Sequence, residues 1–301
     1  MKFLVCGSLN IDYVYNVDHL VRDGETINSL GFQRSEGGKG LNQAVALAKA
    51  GAEVYFAGAI GQDGVFLLDF LSRFGVDTRH VQTPDAPTGH ALIQVDREGR
   101  NAIIIHGGAN RRVEYAALQN TLQSFGNGDV ILLQNEINGL SDIIHAARKH
   151  GIGIALNPSP ISDELRNAPL ELVDWLILNE VEGNELTGKT ADEDILAALL
   201  EMYPSCAVVL TLGTRGAIYA DGSRRHYQPA IPVNAVDTTA AGDTFTGYFL
   251  QSALSGMTIE ESLRVAACAA SITVSRAGAA RSIPVAAEVS ALSRFGSDGG
   301  R

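Results

Sequence analysis

The chain has 301 residues, of which 46% are hydrophobic and 19% are charged, which suits one large globular domain with an ample core. The formal net charge of −11 argues against nucleic acid or an anionic membrane as the main partner, because both select basic surfaces. The N-terminal apolar run is too short for a signal peptide, and no run is long enough to span a membrane.

The first hundred residues predict strands of two kinds. Residues 3–6 and 54–60 are short apolar runs that predict buried strands, and residues 65–74 predict an amphipathic helix that Gly75 ends. Four further segments are β-rich, with no helix between the members of each pair: residues 13–17 and 27–33, then residues 89–96 and 101–106. These pairs predict a small antiparallel sheet that interrupts the larger unit.

From Asn110 onward, predicted strands alternate with helices. Apolar runs predict strands over residues 129–133, 152–156, 175–178 and 206–212. The other predicted elements are helices over 115–125, 140–150 and 258–275, and a hairpin of residues 216–220 and 224–227. This order predicts an α/β fold of three α/β/α layers around a mostly parallel central sheet. Residues 1–301 form a single domain in this interpretation, and only the tail over 296–301 looks disordered.

Polar side chains follow the predicted parallel strands one after another. They are Asn10 and Asp12, Asn135 and Glu136, Asn157, Asn179 to Glu182, and Thr211 to Gly216. Open α/β sheets bind their ligands at the carboxyl ends of the strands. The series therefore predicts a ligand site along this edge. The widely separated cysteines Cys6, Cys206 and Cys268 follow no metal spacing, and we expect buried free thiols in a reducing cytoplasm.

A turn of small residues, Ala240-Ala241-Gly242, leads into a helix that carries Phe245, Phe249 and Leu254. Backbone N–H groups at the start of a helix have no intrahelical acceptor, and they attract anions together with the helix dipole. Asp243 in the first helical turn would place a base beside this oxyanion site. The alternative is that Asp243 only caps the helix.

Residues 37–40, Gly-Gly-Lys-Gly, precede an Ala/Leu-rich helix that Gly51 ends. They do not form a phosphate-binding P-loop, because Gln33 and Gly40 occupy positions where that motif needs Gly and Ser or Thr. No dinucleotide fingerprint of the G-x-G-x-x-G type follows a strand, which argues against a nucleotide-dependent oxidoreductase. Adjacent glycines permit close approach of the backbone to a ligand, and Asn42 would project toward the same space.

Together, residues 37–44 and 237–245 resemble the two signatures of the ribokinase-like (PfkB) carbohydrate kinases. Shorter matches, in the same order as in that family, span nearly the whole chain. They are residues 7–12, 106–110, 156–158, 179–182 and 211–213. The resemblance implies an ATP-dependent kinase that phosphorylates the primary hydroxyl of a sugar under a β lid. The lid would comprise about residues 13–36 and 88–107, and the family implies a homodimer through it.

The resemblance also implies roles for individual residues. Asp243 would be the catalytic base, and the N–H groups of Ala240, Ala241, Gly242 and Asp243 would form the anion hole. The implied sugar-binding positions are Asn10, Asp12, Gly38, Lys39, Asn42, Ala91, Ile105, Glu136 and Asp243. The implied nucleotide-binding positions are Asn179, Thr211, Gly213, Gly216 and Gly242. Glu182 is implied to hold Mg²⁺ through water, and a loop for K⁺ is implied at Asp237, Thr239, Thr273, Arg276, Gly278 and Ser282.

The chain departs at four places from the residues that the family usually carries: Glu36, Leu41, Ala267 and the pair Ala280-Arg281. Glu36 and Leu41 flank residues 37–40, which we call the sugar loop, so the acceptor stays open at this point. D-ribose leads, and the alternatives are deoxyribose, another pentose or ketose, or a nucleoside. A catalytically idle sugar-binding protein is the alternative of a different class. The expected partners are a small-molecule sugar and ATP, with no nucleic acid and no membrane.

Overall fold

The computed structural model describes residues 1–295, so the tail predicted to be disordered lies outside the described residues. In chain order the strands are β1 (Lys2–Cys6), β2 (Asn10–Asn16), β3 (Gly31–Gly37), β4 (Glu53–Ala59), β5 (Asp77–Gln82), β6 (Gly89–Val95), β7 (Asn101–His106), β8 (Val130–Gln134), β9 (Gly153–Asn157), β10 (Trp175–Asn179), β11 (Ala207–Thr211), β12 (Ala217–Ala220) and β13 (Arg225–Gln228). The helices are α1 (Lys39–Lys49), α2 (Val65–Ser72), α3 (Tyr115–Leu122), α4 (Leu140–Lys149), α5 (Asp163–Arg166), α6 (Glu180–Thr187), α7 (Asp192–Met202), α8 (Ala241–Leu254), α9 (Ile259–Val274) and α10 (Ala286–Phe295).

A nine-stranded sheet forms the centre of the protein, in the order β13-β12-β11-β10-β9-β8-β1-β4-β5. The strands from β11 to β5 are parallel, and β12 and β13 add an antiparallel hairpin at one edge. Alternate residues of a strand face opposite sides. Phe3 and Val5 therefore belong to the core beneath α1, α8 and α9, whereas Leu4 and Cys6 belong to the core beneath α3, α4 and α7. The predicted three layers and mostly parallel sheet are confirmed.

A separate four-stranded sheet, which we call the lid sheet, has the order β3-β2-β6-β7. The pairs β2–β3 and β6–β7 are antiparallel, but β2 and β6, which join them, are parallel. The strand predicted over residues 27–33 was wrong in position, because β3 begins at Gly31 and ends at Gly37. Its register is set by full pairing with β2, in which Asn10 lies opposite Gly37.

Five elements were missing from the sequence-based prediction: β5, α5, α6, α7 and α10. The sequence of β5, Asp-Thr-Arg-His-Val-Gln, lacks an apolar run because β5 is an edge strand. The three cysteines are buried and free, as predicted. Burial raises the pKa of Cys6 and of Cys206 to about 12. Within residues 1–295, no helix combines the length and apolar character needed to cross a membrane.

Candidate active site

A cleft of about 240 Å³ opens at the carboxyl ends of β9, β10 and β11, facing the start of α8. Its lining is mostly polar and includes Lys39, Asn157, Asn179, Glu182, Thr211, Thr238, Ala240, Ala241, Gly242, Asp243 and Thr246. Residues from the two sequence signatures thus line one cavity with residues from three strand ends. This is the edge of the sheet where open α/β folds bind their ligands.

Helix α8 begins at Ala241 in an unusual way. Ala240, its N-terminal flanking residue, has φ 61° and ψ 9°, and it is the sole non-glycine residue of the described chain with positive φ. A side chain in this left-handed region costs about 1–3 kcal/mol, and such strain is concentrated at functional sites. The N–H groups of Ala240, Gly242 and Asp243 meet no acceptor among the described residues, whereas that of Ala241 donates to the Thr238 carbonyl at 3.3 Å. Three backbone donors are therefore available to an anion in the cleft.

The carboxylate of Asp243 joins the two signatures. Its Oδ2 accepts from Asn42 Nδ2 at 2.9 Å, across 201 residues of sequence, and its Oδ1 accepts from Gln43 Nε2 at 2.9 Å. Asp243 is 8% exposed. The buried Oδ1 atom of Asn42 has no partner in the structure. An unpaired buried acceptor beside a cleft suits a ligand hydroxyl, because leaving it unmet costs about 1–3 kcal/mol.

Asn10 lies at the base of the lid sheet and is held by a second buried amide. Asn110 Nδ2 donates to Asn10 Oδ1 at 2.8 Å, and Asn110 Oδ1 accepts from the Leu9 N–H at 3.0 Å. A Cβ atom at Gly89 would lie 2.1 Å from the Asn110 amide nitrogen and 2.5 Å from Asn10 Oδ1. Only glycine at this position leaves room for the pair, so Asn110 and Gly89 support a predicted sugar-binding residue.

Asp12, Ala91 and Ile105 are directly paired across β2, β6 and β7, so their side chains share one face of the lid sheet. Ala91 is buried, whereas Ile105 is exposed. A Cβ atom at Gly37 would lie 2.2 Å from Asp12 Oδ2, so glycine is required there as well. The lid thus offers one carboxylate flanked by apolar side chains, which is an arrangement suited to a small polyhydroxylated ligand.

Three charged groups surround the start of α1: Lys39, Glu136 and Asp12. Glu136 Oε2 accepts from the Ser8 hydroxyl and from the Lys39 N–H at 3.3 Å. Burial raises the pKa of Glu136. Burial, and then the charge of Glu136, raise the pKa of Asp12 to about 7. Burial opposes the charge of Lys39, but Asp243, Glu136 and Glu182 outweigh it and raise its pKa.

The shifted pKa of Asp12 predicts a pH-dependent stability. Its pKa rises from the usual 3.8 to about 7 on folding, so the unfolded chain loses this proton more readily than the folded chain. The carboxyl therefore destabilises the fold increasingly as the pH rises from about 4 to about 7. We expect Asp12→Asn to raise Tm near pH 8 and to leave it unchanged near pH 4, as measured by calorimetry. Exposed Asp18→Asn serves as the control, and an equal Tm shift at both pH values contradicts the prediction.

Neither of the unusual residues that flank the sugar loop contacts the cleft. Glu36 occupies the face of β3 opposite to that of Gly37, and its carboxylate accepts from Arg281 Nε at 3.0 Å and from Nη2 at 2.7 Å. Burial opposes ionisation of Glu36, but the Arg281 guanidinium outweighs it and lowers the pKa. Leu41 is fully buried in the core. Two of the four departures, Glu36 and Arg281, are therefore partners in one ion pair.

The predicted nucleotide-binding residues follow β10 and β11. Asn179 and Glu182 form a capping box at the start of α6: Asn179 Oδ1 accepts from the Glu182 N–H at 2.9 Å, and Glu182 Oε2 accepts from the Asn179 N–H at 3.0 Å. Thr211 donates its hydroxyl to the Leu178 carbonyl at 3.3 Å. Gly213 and Gly216 both have positive φ, and a Cβ atom at Gly216 would lie 2.0 Å from the Gln228 carbonyl oxygen.

Glu182 fits the magnesium role that the resemblance implies. It is 8% exposed and lines the same cleft as Lys39 and Asp243. Across residues 1–295 there is no group of three or more His, Cys, Asp and Glu side chains placed to hold a metal ion. Mg²⁺ commonly binds through one or two carboxylates, with substrate phosphates and retained waters completing its shell. One buried carboxylate in the lining of a polar cleft is consistent with this mode.

The predicted monovalent-cation residues lie around the entry to α8 and the end of α9, where they form local hydrogen bonds. Asp237 Oδ2 accepts from the Gly278 N–H at 2.9 Å, and Asp237 Oδ1 accepts from the Thr239 N–H and hydroxyl at 2.9 and 2.6 Å. The Thr273 carbonyl accepts from the Arg276 N–H at 3.1 Å. The Arg276 side chain pairs with Glu288, and the Ser282 hydroxyl donates to the Ala279 carbonyl at 2.7 Å. Carboxylate and carbonyl oxygens of this kind suit a hard cation.

Four supporting residues were missed by reasoning from the sequence: Ser8, Gln43, Asn110 and Gln134. Gln43 and Gln134 are fully buried and hydrogen-bonded to each other, with Gln134 Nε2 and Gln43 Oε1 2.6 Å apart. One signal was available, because Gln134 is the single polar residue of β8, Val-Ile-Leu-Leu-Gln. A polar residue that ends a fully apolar strand at the ligand edge predicts a buried hydrogen-bonding role.

The chain is similar to known proteins over nearly its whole length. A family model described as "pfkB family carbohydrate kinase" matches residues 1–286. A ribokinase of Haemophilus influenzae is 35% identical over 296 residues, which cover 94% of this chain and 95% of that protein. A deoxyribokinase of Salmonella typhi is 31% identical over 295 residues, which cover 94% of this chain and 96% of that protein.

A solved structure gives the same result. The chain is similar to an Arabidopsis thaliana ribokinase complexed with ribose and ATP, with a TM-score of 0.87 and 34% identity over 98% of this chain and 99% of that one. Similarity of sequence and similarity of fold therefore both extend over almost the whole chain.

Proposed function

The chain belongs to the pfkB family of carbohydrate kinases, and from this premise we propose that it transfers the γ-phosphoryl group of ATP to the primary hydroxyl of D-ribose, forming D-ribose 5-phosphate. It is a phosphotransferase with an alcohol group as acceptor. The observation that carries the proposal is the 2.9 Å contact between Asn42 and Asp243, which joins the first signature to the predicted base.

In the proposed reaction, Asp243 takes the proton of the primary hydroxyl as the oxygen attacks the γ-phosphorus. Asn10, Asp12, Asn42, Glu136 and the backbone at Gly38 hold the other hydroxyls of the sugar. The N–H groups of Ala240, Gly242 and Asp243, at the start of α8, stabilise the negative charge that develops on the transferred phosphoryl group. Phosphoryl transfer depends mainly on positioning and charge stabilisation, and these groups are of the types that supply both.

ATP is the second substrate, and we propose that it lies along Asn179, Thr211, Gly213, Gly216 and Gly242. Lys39, a proposed sugar contact, lines the same cleft. Glu182 would hold Mg²⁺ through water, and the bound ion would neutralise phosphate charge. The loops that carry Asp237 and Gly278 would hold K⁺. Ala240 and Asp237 lie on the same segment, so an ion bound there would support the strained turn at the start of α8.

We also propose a single kinase domain over residues 1–301 with the lid as a subdomain, and a homodimer through the lid in the cytoplasm. The support for the dimer is apolar exposure: Ile103, Ile104 and Ile105 on the edge strand β7 are 51%, 66% and 62% exposed. Exposed apolar edge strands tend to pair with another chain.

The experiment that tests the proposed function is a phosphorylation panel over ribose, deoxyribose, fructose and nucleosides, each with and without potassium. We expect the highest kcat/KM with D-ribose, and faster turnover with potassium present. A preference for deoxyribose or for a nucleoside would select that alternative acceptor. Binding of sugar with no turnover of any acceptor would refute the kinase proposal and favour an idle sugar-binding protein.

A further inference from the structure

Behind Asp243 lies a row of buried amide side chains, Gln43, Gln134 and Asn157, which we call the amide row. Gln43 and Gln134 are 0% exposed, and Asn157 is 8% exposed. Gln43 Nε2 donates to Asp243 Oδ1 at 2.9 Å and to Asn157 Oδ1 at 3.2 Å. Gln134 Nε2 donates to Gln43 Oε1 at 2.6 Å. Each polar atom of the Gln43 amide is therefore bonded within the protein.

The amide row is anchored to three adjacent strands of the central sheet. Gln134 ends β8 and Asn157 ends β9, and the two residues are in register. Asn157 Nδ2 donates to the Ile177 carbonyl on β10 at 2.9 Å. Gly7 directly follows β1, and a Cβ atom there would lie 1.9 Å from Gln134 Oε1. Only glycine at this position therefore leaves space for the Gln134 amide. Groups fixed to a sheet in this way hold their geometry better than groups on loops.

Asn42 and Gln43, at consecutive positions of α1, both bond to Asp243, but only Asn42 keeps a free atom for a ligand. Each donates one amide hydrogen bond to a different oxygen of Asp243. Asn42 keeps an unpaired Oδ1, which suits contact with a ligand, whereas Gln43 is sealed from the cleft. A carboxylate has about four lone-pair sites, so two bonds still leave sites for a substrate hydroxyl.

We propose that Gln43 is a positioning residue for this reaction: held by Gln134 and Asn157, it fixes the rotation of the Asp243 carboxylate so that a free lone pair meets the acceptor hydroxyl. Asn42 alone would leave the carboxylate free to rotate about one hydrogen bond. Proton transfer and in-line attack are sensitive to small changes in geometry. The proposal rests on the proposed kinase function, and it adds a residue that does not touch the substrate.

The competing explanation is that the amide row only satisfies buried polar groups. Such a role predicts a loss of stability when Gln43 is changed, without a selective effect on the chemical step. A positioning role predicts a lower kcat with little change in sugar binding, because the lost interaction matters most in the transition state. The two explanations therefore differ in the ratio of kcat to sugar affinity.

The experiment compares Gln43→Leu with the wild-type chain, using ribose and ATP. We expect kcat to fall about 10-fold or more, the loss expected from one hydrogen bond to a charged group, with the Kd for ribose nearly unchanged. Gln251→Leu is the matched control, since Gln251 is a partly buried glutamine on α8 whose Nε2 bonds to Ser255 Oγ at 3.0 Å. We expect wild-type kinetics from this control.

A double-mutant comparison separates positioning from general damage. In the Asp243→Asn background, Gln43→Leu should cost little further activity, because a residue that acts through Asp243 has nothing left to position. Additive losses would overturn the proposal, as would an unchanged kcat or a loss confined to ribose affinity. Where Gln43→Leu does not fold, Gln134→Leu removes its anchor and should lower kcat in the same sense. Absence of turnover in the wild type refutes the kinase function itself, whereas wild-type activity with a fully active Gln43→Leu refutes only the positioning role.

Discussion

Replacing Asp243 with asparagine is expected to lower kcat by about 10² to 10⁴, the range typical for loss of a general base. The amide cannot take the proton of the attacking hydroxyl. It also offers one oxygen where the carboxylate offers two, so its NH₂ group must face one of the two donors, Asn42 Nδ2 or Gln43 Nε2. Steady-state turnover with saturating ribose and ATP measures the effect, with ribose binding by calorimetry showing that the sugar site persists.

The alternative that Asp243 only caps its helix is not supported, because α8 has no side-chain cap and the Asp243 carboxylate bonds to α1 instead. A control is still needed for a purely structural role of this residue. Asp163 occupies the first turn of α5 and is exposed, so Asp163→Asn makes the same chemical change at another helix start. We expect full activity from Asp163→Asn. Near-normal turnover in Asp243→Asn would rule out the base and leave the contact with Asn42 and Gln43, which ties α8 to α1, as the role of this residue.

The second large effect is expected from Asp12→Ala, which should raise the KM for ribose by about 100-fold or more. A carboxylate can accept from two sugar hydroxyls, and each hydrogen bond to a charged group contributes about 1.5–3 kcal/mol. The KM for ATP should change little, because Asp12 belongs to the lid sheet and does not line the cleft between α8 and the ends of β9, β10 and β11. Initial rates over a grid of ribose and ATP concentrations give both constants.

Asp18→Ala is the matched control for Asp12→Ala. Asp18 lies two residues beyond the end of β2, is exposed, and pairs with Arg97 at 2.9 Å on the surface. Its removal should leave both KM values unchanged, since exposed ion pairs contribute little. Equal increases of the two KM values in Asp12→Ala would reject Asp12 as a sugar ligand.

The general design was predictable from the sequence, because it depends on local patterns. Short apolar runs separated by helices predicted the central sheet, and polar residues after those runs predicted the ligand edge. Asn42 and Asp243 were each assigned from their own motif. Their contact could not be derived in this way, because it depends on how α1 and α8 pack together across 201 residues of sequence.

Side-chain direction on the lid strands was harder to predict. A strand placed over residues 27–33 stops before Glu36, so alternation could not assign Glu36 to a face. In β3, Glu36 lies opposite Ile11 and away from Asp12, and the Arg281 guanidinium donates to its carboxylate there. The amide row was missed because its hydrogen bonds join residues far apart in the sequence. The identity of Gln43 alone does not indicate that Gln134 and Asn157 are its partners.

A row of paired residues lies at the base of the lid sheet, where it meets the rest of the protein. Asn10 lies opposite Gly37 on one side and Gly89 on the other, and Gly38 follows directly before α1. The chain passes between the two sheets here, so this row connects the lid sheet to the central sheet. Asn10 and Gly38 are also proposed sugar contacts. The connection between the sheets and the proposed sugar site therefore coincide, so we expect a substitution in this row to change the placement of the lid and the affinity for sugar together.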